Sequence, residues 1–491
     1  MRRMLENLEP KEVWTYFEDL TRIPRESGNE KEVTDYLISF AKDHDLEWVR
    51  DEYLNVLIRK KASPGYENHP IVIMQGHSDM VCEKNQDTIH DFTKDPIKLI
   101  IDGDKVTADG TTLGADDGIG VALGLALLSD KEMQHPEIEF LITSDEERGM
   151  TGAENFDVSQ LKGTILINLD ATDEGVFVTG CAGGPAIRTE IPVTREEIMA
   201  DGVELGIEIR GLKGGHSGED IHRGRANSIK LLTRILMAIE REVEIQISNV
   251  SGGLKYNAIP REAEAIVYVK KEHVKKVESI VFKMGEAFHK EYYLTDKEIT
   301  VKTLVAKKQS LNTGDKKNPF SKKTMKSVLN YLYFAETGII RMNMEIKDTV
   351  ESSVSVGTLH TEKDRVLIET LTRSALESMY MDMYHKIARL AKLVGGDIVL
   401  MSNCPEWEDN PNSHIKSVFE KTYKDMYDKN AERWILHAGL ECGVFGKKIT
   451  RQLDMIAVGP DTRNLHTPGE YVSISSVASF WEFLKEAIKR I

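Results

Sequence analysis

The sequence predicts an α/β protein: a mixed sheet covered by helices, interrupted by an inserted α+β segment of two βαββ-type units. Three observations carry this expectation. Short, β-branched apolar runs alternate with helical patterns through residue 186; the texture changes between 187 and 396; and a strand-and-helix pattern returns from 397 to 491. Alternation of the first kind favours a sheet with helices on both faces. The division expected is therefore 1–186 and 397–491 for one domain, with 187–396 inserted into it.

In the first part, an amphipathic helix over 30–43 precedes "NVLIRK" and "HPIVIMQGHSDM". The second of these is an apolar run too short for a helix and reads as a buried strand. "HPEIEFLITSDEE" and "KGTILINLDATDEG" repeat the shape, each an apolar run that ends in carboxylates. "GADDGIGVALGLALLSD" starts at a helix cap and continues as a helix. In sheets of this class, chemistry gathers beyond the carboxyl ends of the strands.

The middle segment reads differently. "VELGIEIRGL" is a strand, and "SIKLLTRILMAIERE" a helix whose apolar face is Ile229, Leu232, Ile235, Leu236 and Ile239. The strand "AEAIVYVK" and the helix "HVKKVESIVFKMGEAFHKE" follow. A similar series recurs as the strand "ITVKTLVA", a helix over 322–333, the strands "ESSVSVGTLH" and "RVLIETLTRS", and a helix over 375–394. In the last part, the strand "LDMIAVGP" leads into "DTRNLHTPGE".

Composition narrows the function. With 491 residues, 41% of them hydrophobic, the chain can bury a sizeable core. Lys plus Arg number 64 against 80 Asp plus Glu, a formal charge of −16. That balance excludes the basic stripe that nucleic acid or an anionic membrane requires. No run approaches the ~18 apolar residues of a membrane span. Two arginines near the N-terminus have no apolar segment behind them, so no signal peptide is expected. The four cysteines lie far apart without a CxxC pair, as free thiols in a reducing compartment do. A cytoplasmic protein is expected.

Several residues carry chemistry. In "GHSDMV", His77 and Asp79 are two apart on an extended strand and point the same way, the arrangement in which a carboxylate orients a metal-binding imidazole. Alone, the pair reads equally as a hydrogen-bonded surface pair. Asp116 and Asp117 stand at a helix start, where one carboxylate serves as an N-cap; the glycines on both sides also suit a carboxylate that bridges two cations. Glu146 and Glu147 follow a strand and point in different directions, so one can bind metal while the other faces a water; a solvated acidic loop would look the same. Asp170 and His466 each end or follow a strand. Together, His77, Asp116, Glu147, Asp170 and His466 supply nitrogen and oxygen donors without sulfur. That set suits zinc, with cobalt or manganese as substitutes. Two divalent ions, three carboxylates and one hydroxide sum to a near-neutral cluster that a cleft can hold.

The motifs "GHSDMV", "GTTLGADDGIG", "SDEERGMTGAE", "NLDATDEG", "GLKGGHSGEDIHRGRAN", "NAIPRE", "HAGLECGVF" and "DTRNLHTPGE" occur in this order along nearly the whole chain. In this they resemble the aminoacyl-histidine dipeptidases, members of a metallopeptidase family that includes carnosinases, aminoacylases and glutamate-releasing carboxypeptidases. The resemblance implies hydrolysis of dipeptides, Xaa-His dipeptides among them, with two divalent metal ions. It implies that Asp116 bridges both ions, that His77 and Asp170 complete one site, and that Glu147 and His466 complete the other. Asp79 would orient His77, and Glu146 would take a proton from the bridging water. Asp117 is a position where Asn also occurs, and the ligand count does not depend on it. The inserted domain would be a lid carrying three substrate-binding residues: His216 for the oxyanion, Asn257 and Arg373 for the peptide ends. Partners are then a small peptide and, as a homodimer, a second copy of the chain. Two other readings stay open: an N-acyl amino acid amidohydrolase or short-peptide carboxypeptidase of the same family, and a metal-binding scaffold without catalysis.

Overall fold

The structure is a computed structural model that describes residues 3–305 and 318–491. Within these, the expected strand "ITVKTLVA" is Thr300–Val305; its final Ala306 lies outside the described residues, as do Met1 and Arg2. The chain divides into two compact units. One comprises 1–181, 407–435 and 440–491, and the other 182–406 and 436–439.

In the first unit an eight-stranded mixed sheet runs, from one edge, Glu47–Arg50, Val56–Lys60, Ile138–Thr143, Val72–His77, Ile165–Asn168, Asp454–Ala457, Val176–Cys181 and Glu432–Leu436. Its centre is parallel: Val72–His77 lies between Ile138–Thr143 and Ile165–Asn168, and Asp454–Ala457 continues the parallel set. Parallel strands are covered on both faces, which is why they read as unbroken apolar runs; Val72, Ile73 and Met74 have no exposed surface. The helix Ala115–Ser129 is apolar on every side and almost wholly buried. Phe177, Phe419 and Phe483 pack the far end of the core, with Phe177 stacked on Phe483 at 5.6 Å. A separate four-stranded sheet pairs Tyr471–Ser473 with Thr462–Arg463 on one side and Lys105–Ala108 on the other. It ties the 464–470 loop to the segment that leads into Asp116.

The second unit is built on one nine-stranded antiparallel sheet. Its path is Thr300–Val305, Gly202–Arg210, Ala263–Lys270, Ile245–Gly252, Val350–Thr361, Arg365–Ser374, Gly184–Pro192 and Asp397–Cys404, with Gly338–Met342 paired to Val350–Thr361. The two series read from the sequence thus share a single sheet, joined where Gly252 pairs with Leu359. The helix Ser228–Glu240 starts at Asn227, whose side chain accepts from the N–H groups of Ile229 and Lys230. Its five expected apolar residues are all buried.

The unit boundaries differ from 187 and 396. Gly184–Pro192 straddles the first expected boundary as one strand. Asp397–Cys404, assigned from sequence to the returning first domain, instead pairs with Gly184–Pro192 in the second unit. The reason lies in its burial: as an edge strand it is mostly exposed and shows none of the apolar continuity that marks a sheet centre.

Candidate active site

Three neighbouring parallel strands end together. His77 is the last residue of Val72–His77, Glu146 and Glu147 follow Ile138–Thr143, and Asp170 lies two residues past Ile165–Asn168. This is the place where an α/β sheet gathers ligands.

Asp116 joins them from the start of the helix Ala115–Ser129, but not as a cap. Neither Asp116 nor Asp117 makes a side-chain cap bond, and both have non-helical backbone angles, with Asp116 extended at φ −81° and ψ 112°. Gly114 turns the chain beforehand in the left-handed region, at φ 71°. Asp117 turns inward, where its Oδ2 accepts from His77 N–H at 3.2 Å. Burial, with Asp116 and Glu441 nearby, pushes its carboxyl up to about 8.

The two oxygens of Asp116 face two different histidines. Oδ1 lies 3.0 Å from His77 Nε2, and Oδ2 lies 3.1 Å from His466 Nε2. Asp170 Oδ1 stands 3.8 Å from the same His77 nitrogen, and Glu147 Oε1 stands 3.0 Å from the same His466 nitrogen. Two donor triads result, His77–Asp116–Asp170 and Asp116–Glu147–His466, each with ligand atoms within 4.8 Å of one another and with Asp116 in common. Glu146 and Glu147 also fall within that range of His77.

Charge tests whether cations suit this cluster. Burial, together with neighbouring carboxylates, holds both Asp170 and Glu146 well above the usual carboxylate range. Asp116 is held well below it, its burial outweighed by hydrogen bonds from His466 and His77. So much carboxylate in a largely buried site calls for positive charge beyond two imidazoles. The oxygen and nitrogen donors fit divalent ions.

Supporting residues fix the geometry. His77 Nδ1 is 3.4 Å from Asp79 Oδ1. Asp79 accepts from Ser27 Oγ at 2.7 Å and from the backbone N–H groups of Glu146 and Glu147 at 3.1 and 3.2 Å, one on each oxygen. Burial opposes its ionisation, but His77, Ser27 and the Glu146 N–H pull its carboxyl down to about 2. Two residues that sequence reasoning missed hold the Asp116 turn. Glu470 accepts from four successive backbone N–H groups, Leu113 through Asp116, at 2.8, 3.0, 2.7 and 3.3 Å. Arg25, 2% exposed, donates to the carbonyls of Ser78, Asp79 and Gly114. Glu470 stands inside the motif "DTRNLHTPGE", which was the available signal; Arg25 had none.

The other three sequence-derived residues belong to the second unit and lie close to one another there. His216 ends the short strand Gly215–His216, which pairs with Ala258–Ile259, and Asn257 O accepts from Ser217 N–H at 2.9 Å. Arg373, on Arg365–Ser374, places Nη2 3.2 Å from His216 Nε2. Its Nε is shut off from solvent without a hydrogen-bond partner. His437 was also missed. Its Nε2 lies 2.7 Å from Ser353 Oγ, and burial beside Arg373 and His216 holds it neutral, down at about 3.

Comparison with known proteins fits this geometry. Across 487 residues, 99% of each chain, the sequence is 37% identical to the cytosol non-specific dipeptidase of Escherichia coli K12. The chain belongs to that dipeptidase family. The crystal structure of aminoacylhistidine dipeptidase from Vibrio alginolyticus superposes with a TM-score of 0.87 at 36% identity, over 99% of this chain and 98% of that one. Residues 207–296 match the family model of the peptidase dimerisation domain. A tripeptidase from Staphylococcus aureus, 16% identical with a TM-score of 0.55 over 98% of each chain, shares the fold. Among the described residues no helix is long and apolar enough to cross a membrane.

Proposed function

We propose that this family member is a metal-dependent dipeptidase of broad specificity, Xaa-His dipeptides included, acting in the cytoplasm. The observation that carries the reading is Asp116, whose two oxygens each complete a separate histidine-centred donor set. His77 and Asp170 would hold one divalent ion, Glu147 and His466 the other, and Asp116 both. Zinc fits the donors best, with cobalt or manganese as substitutes. Two such ions supply a Lewis acid for the scissile carbonyl and lower the pKa of the attacking water.

The chain's own residues do the rest. Asp79, 3.4 Å from His77 Nδ1, would orient the His77 ring, and it accepts the N–H groups of both Glu146 and Glu147. Glu146, its carboxyl held up by burial, takes the water's proton and returns it to the leaving amine. His216 donates to the developing oxyanion. Arg373, half-buried with its Nε shut off from solvent without a hydrogen-bond partner, binds the peptide's C-terminal carboxylate with its planar fork. Asn257 contacts the other end. Gripping both ends sets the length of the substrate.

The test pairs metal analysis with a substrate panel. About two divalent ions per chain, loss of activity on chelation, and cleavage of free dipeptides in preference to N-acetyl amino acids are expected. Preference for N-acetyl amino acids would favour the amidohydrolase, and preference for longer peptides the carboxypeptidase. Two bound ions with no turnover would leave a scaffold.

We further propose that catalysis does not require a second subunit. The matched dimerisation region contains the strand Ile245–Gly252, which here pairs with the chain's own Val350–Thr361. Mixing His216→Ala protein with Glu146→Gln protein under subunit exchange should recover no activity. Recovery would mean that His216 serves a neighbour's site.

A further inference from the structure

Beneath the metal ligands, four polar side chains lie in the dry interior of the sheet. Gln75, Thr143 and Asn168 have no exposed surface, and Glu441 is 1% exposed. Each of the first three precedes a residue of the site: Gln75 lies two before His77, Asn168 two before Asp170, and Thr143 three before Glu146. Gln75 and Asn168 are register partners on adjacent parallel strands. Glu441 comes from a distant part of the chain, the first residue of the short helix Glu441–Lys448.

The bonds among them run in one direction. Asp170 N–H donates to Asn168 Oδ1 at 3.2 Å, and Asn168 Nδ2 donates to Gln75 Oε1 at 2.7 Å. Gln75 Nε2 donates in turn to Glu441 Oε2, which also accepts from Thr143 Oγ1 at 2.8 Å. Glu441 Oε2 accepts from both donors, whereas each amide can turn either end forward. The chain is therefore held at both ends, by the Asp170 N–H, which only donates, and by the Glu441 oxygen, which accepts. Without Glu441 the buried Gln75 Nε2 and Thr143 Oγ1 lose the acceptor they share, and an unmet donor in the dry interior drives the Gln75 and Asn168 side chains to shift.

We propose that Glu441 is a positioning residue: as the terminal acceptor of the Asn168–Gln75 amide chain, it holds the Asp170 loop and the end of the His77 strand in the mutual geometry that one ion site needs. This rests on the metal reading above, and it assigns the effect to one of the two sites. The His77–Asp170 site depends on Glu441; the Glu147–His466 site does not.

Metal affinity, measured on the full-length apoprotein by zinc competition against a chromophoric chelator, separates the sites. In a His466→Ala background, which leaves the His77–Asp170 site, adding Glu441→Ala should weaken zinc binding by about 10–100-fold, the usual effect of removing a partner behind a ligand. In a His77→Ala background the same change should alter affinity by less than about threefold. Glu441→Gln keeps an acceptor oxygen and should recover most of the loss. Thermal unfolding checks that each variant folds. If Glu441→Ala does not, Gln75→Met breaks the chain while leaving Thr143 on Glu441, and should give the same site-selective loss. Unchanged zinc affinity in the His466→Ala background, equal losses in both backgrounds, or a Glu441→Gln protein as weak as Glu441→Ala would each overturn the proposal. Wild-type protein that binds fewer than two ions would overturn the metal reading and this inference with it; two ions in wild type without the selective loss would overturn this inference alone.

Discussion

Glu146→Gln is expected to retain both metal ions and to lose turnover by about 10²–10⁴-fold, the contribution of a positioned general base. That corresponds to about 3–5.5 kcal/mol of transition-state stabilisation. In the proposed mechanism the two neighbouring glutamates do different work; Asp79 accepts one backbone N–H from each on separate oxygens. Glu147 Oε1 lies 3.0 Å from His466 Nε2, in a donor triad with Asp116. Glu146 is left among Glu441, Glu147 and Asp116, where burial raises its proton affinity above that of an ordinary carboxylate. Glutamine matches its shape and cannot take the proton. Glu147→Gln should instead weaken one ion site and lose activity that added metal partly restores. Metal content by emission spectrometry and kcat on an Xaa-His dipeptide separate the two. If both variants lost metal alike, or both kept it with equal turnover, the division of labour would be refuted.

What the sequence shows, and what it hides, follows from the range of the contacts. The strands that present His77, Glu146, Glu147 and Asp170 are legible because burial on both faces writes itself as a mainly apolar run that stops just short of these residues. Asp116 was ambiguous: a carboxylate at a helix start is ordinarily a cap, and only its backbone angles and two histidine partners show otherwise. His466 follows a two-residue strand, too short to leave a pattern, so only the surrounding motif marked it. Glu441 and Glu470, inside quoted motifs, and Arg25, outside any, leave no local pattern for a different reason. Each is a buried polar residue whose partners are remote: Glu441 is 366 residues from Gln75, and Glu470 is 354 or more from the N–H groups it accepts. No local periodicity records such a bond. The edge strand Asp397–Cys404 was assigned to the wrong unit because exposure removed the one signal that strands in this chain otherwise carry.

Asp116→Ala should empty both ion sites at once, whereas any other single ligand change should weaken one. Its Oδ1 completes the set with His77 and Asp170, and its Oδ2 the set with Glu147 and His466. Removing it would take one of three candidate donors from each set, and with it a negative charge the two sets share. The loss at each site should exceed the roughly 10–100-fold that follows from disturbing a partner behind a ligand, and peptide hydrolysis should fall below detection with it. Asp116→Asn, which keeps one carbonyl oxygen, should retain more metal than alanine while still losing activity. The neighbouring Asp117→Asn supplies the control. Its Oδ2 accepts the His77 N–H from within the core and belongs to neither donor triad, so the amide, with an oxygen at the same place, should leave two ions bound. Dialysis at fixed free zinc followed by metal analysis reads all three. One tight ion remaining in Asp116→Ala, in the manner of His466→Ala, would show that Asp116 serves a single site and that the two sites are not bridged by it.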